Sequence, residues 1–224
     1  MAQAGQAQAV HAKDIQIRSG DVMLNGDLTI PEASHGIALF AYGSGSSRFS
    51  PRNQFVARTI QQAGIGTLLF DLLTQEEEII DARTRHLRFD IGLLSQRLID
   101  ATYWIKGQFD ELSIGYFGSS TGGGAALVAA AELGESVGAV VSRGGRPDLA
   151  SDALPHVKSP TLLIVGGFDY PVIEINKKAF ARLGCEKELK IVPGATHLFE
   201  EPGALEQVAD LATDWFSKHL GARI

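Results

Sequence analysis

From residue 37 onward, short continuous apolar runs alternate with segments of helical periodicity. Such runs are typical of strands buried on both faces, which occur in parallel sheets covered by helices. The predicted strands occupy residues 37–42, 67–70, 112–117, 139–141, 161–165 and 189–192, and the predicted helices residues 52–63, 90–106, 121–133, 172–183 and 203–219. This order predicts an α/β fold with a mostly parallel sheet and helices on both faces.

The amino-terminal part has a different pattern. Residues 14–18 and 22–30 alternate between apolar and polar side chains, which predicts two strands of an antiparallel pair. Residues 1–13 lack this pattern, so we expect a loose tail there, followed by a single domain over residues 14–224. Residues 72–88 match no pattern clearly, and we expect a loop, a short helix or a partial lid.

Composition narrows the class of function. A net charge of −6 disfavours nucleic acid as a partner, because proteins that bind it carry a basic patch. The apolar runs are far shorter than the ~20 residues of a membrane-spanning helix, so we expect a soluble protein with no membrane partner. A single cysteine, Cys185, favours the reducing cytoplasm. The expected partner is a small molecule, no metal site is expected, and the oligomeric state stays open.

Residues 118–122 read Gly-Ser-Ser-Thr-Gly, a G-x-S-x-G motif. The motif follows an apolar predicted strand and opens a predicted helix of small residues. A sharp turn from strand to helix forces strained backbone geometry on its central residue, and flanking glycines remove Cβ atoms that would clash. We therefore predict that Ser120 is a nucleophile at the carboxyl edge of the sheet, where α/β folds bind ligands.

The same glycines, with Gly124, also fit G-x-x-x-G-x-G, a spacing found in dinucleotide-binding dehydrogenases. Three observations oppose this alternative. The glycines lie in mid-chain, the next predicted strand ends without an acidic residue for a ribose, and neither Tyr103 nor Tyr170 has a lysine four positions later. A serine in an ordinary glycine-rich turn is the other alternative, which the surrounding pattern disfavours.

A serine nucleophile needs a base, and the base needs a carboxylate that orients it. Asp169 and His197 both follow predicted buried strands, so each is placed at the carboxyl edge of the sheet. The order Ser120, Asp169, His197 is that of α/β-hydrolases. Asp148, after the preceding strand, is an alternative acid.

The tetrahedral intermediate of acyl transfer needs fixed N–H donors for its oxyanion. One usually comes from the residue after the nucleophile, here Thr121, and another from the loop after an earlier strand. The glycine-rich loop after residue 42 can supply the second donor, for which we select Ser44, with Gly45 as an alternative. A flexible connection without this role remains an alternative for this loop.

Four segments carry a resemblance to a known family. They are residues 42–48 (Tyr-Gly-Ser-Gly-Ser-Ser-Arg), 115–122 (Gly-Tyr-Phe-Gly-Ser-Ser-Thr-Gly), 142–148 (Ser-Arg-Gly-Gly-Arg-Pro-Asp) and 193–199 (Pro-Gly-Ala-Thr-His-Leu-Phe). The chain resembles the dienelactone hydrolase branch of the α/β-hydrolase superfamily, in a version with a serine nucleophile. The resemblance implies an eight-stranded, mostly parallel sheet without a separate cap domain, and ester hydrolysis without a cofactor.

Two positions depart from that pattern. Dienelactone hydrolases proper have cysteine at the position of Ser120, and related serine hydrolases commonly have histidine at that of Tyr42. Dienelactone itself is therefore not the expected substrate.

The predicted reaction is hydrolysis of carboxylic ester or lactone bonds of small substrates through an acyl-enzyme intermediate. Arg48 and Arg143 lie in or near loops at the expected active edge, so either could bind an anionic substrate. Alternatives are a thioesterase or acyltransferase with the same side chains, or a noncatalytic ligand-binding module on this fold.

Overall fold

A single eight-stranded sheet forms the centre of the computed structural model, which describes residues 10–43 and 45–221. Its strands are β1 (Val10–Ser19), β2 (Val22–Pro31), β3 (Gly36–Ala41), β4 (Gly66–Phe70), β5 (Ser113–Ser119), β6 (Ala139–Arg143), β7 (Thr161–Gly166) and β8 (Lys187–Val192). They lie in the order β1-β2-β4-β3-β5-β6-β7-β8. Pairing is antiparallel in β1–β2 and β2–β4 and parallel from β4 to β8. The predicted α/β-hydrolase fold is confirmed.

The described residues also form six α-helices, five between strands and one after the last strand. They are α1 (Pro51–Gln62), α2 (Gln75–Thr84), α3 (Ile91–Gln108), α4 (Thr121–Leu133), α5 (Tyr170–Arg182) and α6 (Ala204–His219). All but α2 coincide with predicted helices to within two residues at each end. Helix α2 lies in the segment 72–88 that the sequence pattern left open, and the described part of the chain contains no separate cap domain.

Two apolar layers bury the two faces of the sheet. Helices α1 and α6 cover one face, where Phe40 and Phe117 stack with ring centroids 4.8 Å apart beneath Val208. Helices α3, α4 and α5 cover the other face, on which Leu39 and Tyr116 are fully buried. Neighbouring strand residues point to opposite faces, so a strand covered on both sides is apolar throughout.

Helix α2 is stabilised at its ends rather than by a buried apolar face. The Thr74 side chain accepts a hydrogen bond from the Glu77 N–H, and the Glu77 carboxylate accepts one from the Thr74 N–H, which is a capping box. Asp81 is the one buried residue of the helix, whereas Ile79 and Ile80 are exposed. The helix therefore contributes little to the core.

Two ion pairs attach α2 to the rest of the domain. Arg97 of α3 is buried and binds Glu77 through both terminal nitrogens, with Nη2 and Oε1 2.7 Å apart. This hydrogen bonding lowers the pKa of Glu77. Arg88 Nε lies 2.6 Å from Asp81 Oδ2. Burial alone would raise the pKa of Asp81, but the hydrogen bonds from Arg88 lower it. Both carboxylates therefore stay ionised near neutral pH.

Strand β1 begins at Val10, within the segment that the sequence pattern assigned to a loose tail. Its residues pair with β2 from the Val10–Pro31 position onward. Residues 1–9 of that predicted tail lie outside the described residues. Within the described ranges, no helix has both the length and the apolar character required to cross a bilayer.

Candidate active site

Ser120 occupies the turn between β5 and α4 with φ 52° and ψ −124°. This is a strained conformation for a residue with a side chain. The turn requires glycine on both sides. A Cβ on Gly118 would lie 2.6 Å from the Gly123 Cα, and one on Gly122 would lie 1.9 Å from the Ala41 carbonyl oxygen. The turn thus has the geometry that the motif predicts, and it places Ser120 at the carboxyl edge of the sheet.

Asp169 and His197 meet at this same edge. Asp169 precedes α5 just after β7, and His197 lies in the loop after β8. Asp169 Oδ2 is 2.6 Å from His197 Nδ1. The carboxylate side chain is 12% exposed and the imidazole 40% exposed, so the ring lies at the surface over a nearly buried acid. Because Nδ1 faces the acid, Nε2 is the nitrogen left to exchange a proton with a substrate or nucleophile.

Backbone contacts bring the Ser120 turn next to the His197 ring. The Ser120 N–H donates to the Arg143 carbonyl at 3.4 Å, and Gly144 follows Arg143 directly. A Cβ on Gly144 would lie 3.3 Å from His197 Cε1 and 3.4 Å from Nδ1. The His197 ring therefore lies over Gly144. The preceding residue, Arg143, accepts the hydrogen bond from the Ser120 N–H. None of the hydrogen bonds of the described residues joins Ser120 Oγ to His197, and such bonds often tighten only when substrate binds.

Of the two predicted oxyanion donors, Thr121 and Ser44, the structure describes only Thr121. Thr121 is buried and is the first residue of α4, so its N–H lacks an acceptor within the helix. Ser44 lies outside the described residues. Its neighbour Gly43 donates its N–H to Ser119 Oγ at 3.4 Å, and a Cβ on Gly43 would lie 2.7 Å from the Ser120 Cβ. The loop that holds Ser44 and Gly45 therefore begins directly against the predicted nucleophile.

The two predicted substrate-binding arginines have different surroundings. Arg48 lies beside two carboxylates. Its guanidinium pairs with Asp71, and its Nε lies 3.3 Å from Asp27 Oδ1. Arg143 is 7% exposed, and within the described ranges no Asp or Glu carboxylate lies within 4.0 Å of its guanidinium. Its guanidinium carbon lies 5.5 Å from the centre of the Phe199 ring. Burial, with a smaller contribution from repulsion by Arg52, lowers the pKa of Arg143 to about 10.

The structure shows the surroundings of two residues on which the alternative interpretations depended, Asp148 and Gly124. Asp148, the alternative acid, pairs with Arg146 at 2.7 and 2.8 Å. A Cβ on Gly124, a glycine of the dinucleotide-like spacing, would lie 2.8 Å from the Arg146 carbonyl oxygen. Close packing of α4 explains that glycine without a dinucleotide. Within the described ranges, no group of three or more His, Cys, Asp or Glu residues has a metal-binding arrangement.

Asp71, which no sequence motif indicated, binds both flanks of the glycine-rich loop. The Tyr42 hydroxyl donates to Asp71 Oδ1 at 3.0 Å, and the Arg48 N–H donates to the same oxygen at 3.0 Å. A signal was available, because Asp71 directly follows the predicted strand 67–70 and so lies at the active edge of the sheet. The partners of this carboxylate could not be inferred from spacing.

A cavity of about 370 Å³ lies beside this loop. Its wall is formed by the loop itself, Asp71 and one side of α2 and the turn that follows it, including Ala82 and Arg88. Gly43, on which a Cβ would lie 2.7 Å from the Ser120 Cβ, also lines it. Ligand pockets range from roughly 300 to 1,000 Å³, so this cavity suits a small molecule.

A model of the dienelactone hydrolase family matches residues 56–220. The chain belongs to this family. A crystal structure of a dienelactone hydrolase from Anabaena variabilis is 62% identical, covers 94% of this chain and 99% of its own, and superposes with a TM-score of 0.92. The esterase Est1E from Butyrivibrio proteoclasticus is 16% identical with a TM-score of 0.77, a likeness of fold alone. The predicted family resemblance is confirmed.

Two Mycobacterium tuberculosis proteins are 58% identical over 210 residues, and each carries the name "Putative phosphoribosyl transferase". The match covers 93% of this chain but only 46% of the length of each of the two proteins. The chain thus spans about half the length of these curated relatives. Their name describes these longer proteins, of which this chain matches one part.

Proposed function

We propose that this chain is a serine hydrolase that cleaves carboxylic ester or lactone bonds of small substrates. The observation that carries the proposal is the 2.6 Å contact between His197 and Asp169, on the sheet edge where Ser120 occupies its strained turn. Family membership supports a hydrolase. A lone cysteine, Cys185, supports a cytoplasmic location.

The proposed reaction has two steps. His197 Nε2 takes the proton of Ser120 as its oxygen attacks the carbonyl carbon, and Asp169 stabilises the resulting imidazolium. The tetrahedral intermediate collapses to an acyl-serine, and His197 returns the proton to the departing alkoxide. Water, deprotonated by His197, then attacks the acyl-serine and releases a carboxylic acid. N–H groups of Thr121 and of the loop at Ser44 stabilise the negative oxygen in both steps. The protein supplies every group, so no cofactor is required.

Labelling with a fluorophosphonate probe tests the proposal. The probe phosphonylates activated serines, so we expect the mass of the pure protein to rise by one adduct, located on Ser120 by peptide mapping. Heat-denatured protein should stay unlabelled. Failure to label, together with no turnover of any ester, would instead favour the noncatalytic ligand-binding module.

A panel of acyl substrates separates hydrolase types. We expect short-chain oxygen esters and lactones to give the highest kcat/KM, since the cavity beside the loop is small. A preference for thioesters would indicate a thioesterase, and efficient transfer of the acyl group to added alcohol would indicate an acyltransferase. Either outcome would retain the proposed nucleophile and change the bond that is broken.

We further propose that Arg143 recognises an anionic group of the substrate. A buried guanidinium without a carboxylate partner among the described residues attracts an anion, and it lies one residue from the glycine beneath His197. Charge-assisted hydrogen bonds contribute about 1.5–3 kcal/mol, or roughly tenfold to hundredfold in rate.

Arg143→Met tests this assignment. We expect kcat/KM to fall about tenfold to hundredfold for an ester that carries a free carboxylate, and by less than about threefold for the matched neutral ester. Burial lowers the pKa of Arg143 because it disfavours the charged form. The charge therefore lowers the free energy of unfolding at every pH below about 10. The variant should therefore be at least as resistant to urea as the wild type. Equal losses on both esters would contradict anion recognition.

A further inference from the structure

The loop that carries the proposed oxyanion donor is held by one carboxylate at both ends. Tyr42 precedes the loop and Arg48 follows it. The Tyr42 hydroxyl and the Arg48 N–H both donate to Asp71 Oδ1, each at 3.0 Å, while the Arg48 guanidinium pairs with Asp71 Oδ2. Asp71 Oδ1 therefore accepts one hydrogen bond from each flank of the loop, which uses both of its lone pairs.

Asp71 is itself fixed to the sheet. It follows β4 directly, and its N–H donates to the Asn25 carbonyl of β2 at 3.0 Å. Tyr42 is only 6% exposed, and burial together with the Asp71 charge raises its pKa well above the ordinary value. The phenol therefore keeps its proton and remains a donor. The connection from the loop to the sheet is largely shielded from solvent, since the Arg48 and Asp71 side chains are each 18% exposed, so it differs from a surface ion pair.

The loop needs such a connection. Holding one residue in a single backbone conformation costs about 1–2 kcal/mol, and glycine costs more than other residues. This loop contains Gly43 and Gly45 and has φ +73° at Gly45. Donors stabilise a developing oxyanion well only when they are already in place. Asn53 helps, since its Nδ2 binds Ser46 Oγ at 2.9 Å, but it holds only the second half of the loop.

We propose that Asp71 is a positioning residue that joins Tyr42 to Arg48 and so holds Gly43 and residues 45–47 beside Ser120, where N–H groups of the loop are preorganised for the substrate's carbonyl oxygen. The proposal rests on the proposed hydrolase function. Asp71 acts through Tyr42 and Arg48 and does not contact the reacting atoms. The same contacts assign Arg48 to the loop, because two carboxylates, those of Asp71 and Asp27, already balance its positive charge.

Three variants test the proposal: Asp71→Asn, Tyr42→Phe and the matched control Asp27→Asn. The control removes the same charge beside the same arginine, 3.3 Å from its Nε, but leaves both bonds to the loop flanks intact. Hydrogen–deuterium exchange of the loop amides and steady-state kinetics are measured on each. Tyr42→Phe keeps the buried ring, so it carries the test if Asp71→Asn fails to fold.

We expect Asp71→Asn to speed exchange over residues 43–48 and to lower kcat about 100-fold with KM within threefold, since loss of one oxyanion donor costs about 10²–10³ in kcat. Tyr42→Phe should lower kcat about tenfold, and Asp27→Asn should change it less than threefold. Unchanged loop exchange, or a kcat within threefold of the wild type in Asp71→Asn, would overturn the proposal.

The two proposals fail in different ways. A wild-type protein that neither hydrolyses an ester nor takes a fluorophosphonate would refute the hydrolase function, and the exchange data would still decide whether Asp71 holds the loop. A wild-type protein that is active and labelled, with Asp71→Asn equally active, would refute the positioning role alone.

Discussion

Replacing Ser120 with alanine is expected to lower kcat for any ester that the chain hydrolyses by about 10⁴-fold or more. Alanine removes the oxygen that we propose attacks the substrate and adds no atom to the turn. The variant keeps the backbone strain of φ 52°, so its stability should match the wild type. Kinetics on pure protein, with a urea unfolding curve for each sample, measure both.

His197→Ala and the double variant sharpen this result. A nucleophile and its base act as a unit, so either single change should cost about as much as both together. The exposed Ser217 of α6 offers a matched control, and Ser217→Ala should retain full activity. More than about 1% residual kcat in Ser120→Ala would show that another group attacks the substrate.

Gly122→Ala is expected to destabilise the fold by at least about 3 kcal/mol, a large share of the roughly 5–15 kcal/mol that holds a domain. The new Cβ would lie 1.9 Å from the Ala41 carbonyl oxygen and 2.5 Å from its carbon. Backbone cannot yield as a flexible side chain does. Any shift of Ala41 would also displace Tyr42 and the loop after it, so activity should fall as well. The midpoint of urea unfolding gives the stability change.

Gly107→Ala is the matched control for this change. Gly107 is exposed in α3, and a Cβ there would meet nothing within 4 Å. Alanine favours a helix over glycine by up to about 1 kcal/mol, so this variant should be slightly more stable than the wild type. An insoluble Gly122→Ala beside a soluble Gly107→Ala would agree with the prediction, whereas equal urea midpoints would contradict it.

The sequence was most informative where burial determines the pattern. Strands of the parallel part of the sheet are mostly buried, so their apolar runs could be located. They end at the active edge, so the polar residues that follow them could be assigned to the site. Asp169 and His197 were found in this way, and the structure places them in contact. The antiparallel pair β1–β2 followed from alternation, although β1 starts at Val10 rather than at residue 14.

Other features depend on contacts between distant segments, which no local pattern reports. Helix α2 buries only Asp81, so it has no apolar period to detect. The partners of Arg48 come from β2 and from the end of β4, and the prediction that it binds substrate could not take them into account. Arg143 is a second example, because the packing of distant segments decides that no carboxylate of the described ranges lies beside its guanidinium.

The sparse attachment of α2 has an evolutionary consequence. Its stability comes from a capping box and two ion pairs, while Ala82 and the following Arg88 form part of the cavity wall. Mutations at the exposed positions of this helix alter almost no core packing, so its sequence can vary there without loss of the fold. Relatives that differ at the exposed Glu78 and Ala82, which line the cavity, are therefore expected to differ in substrate range while the residues proposed for catalysis stay the same.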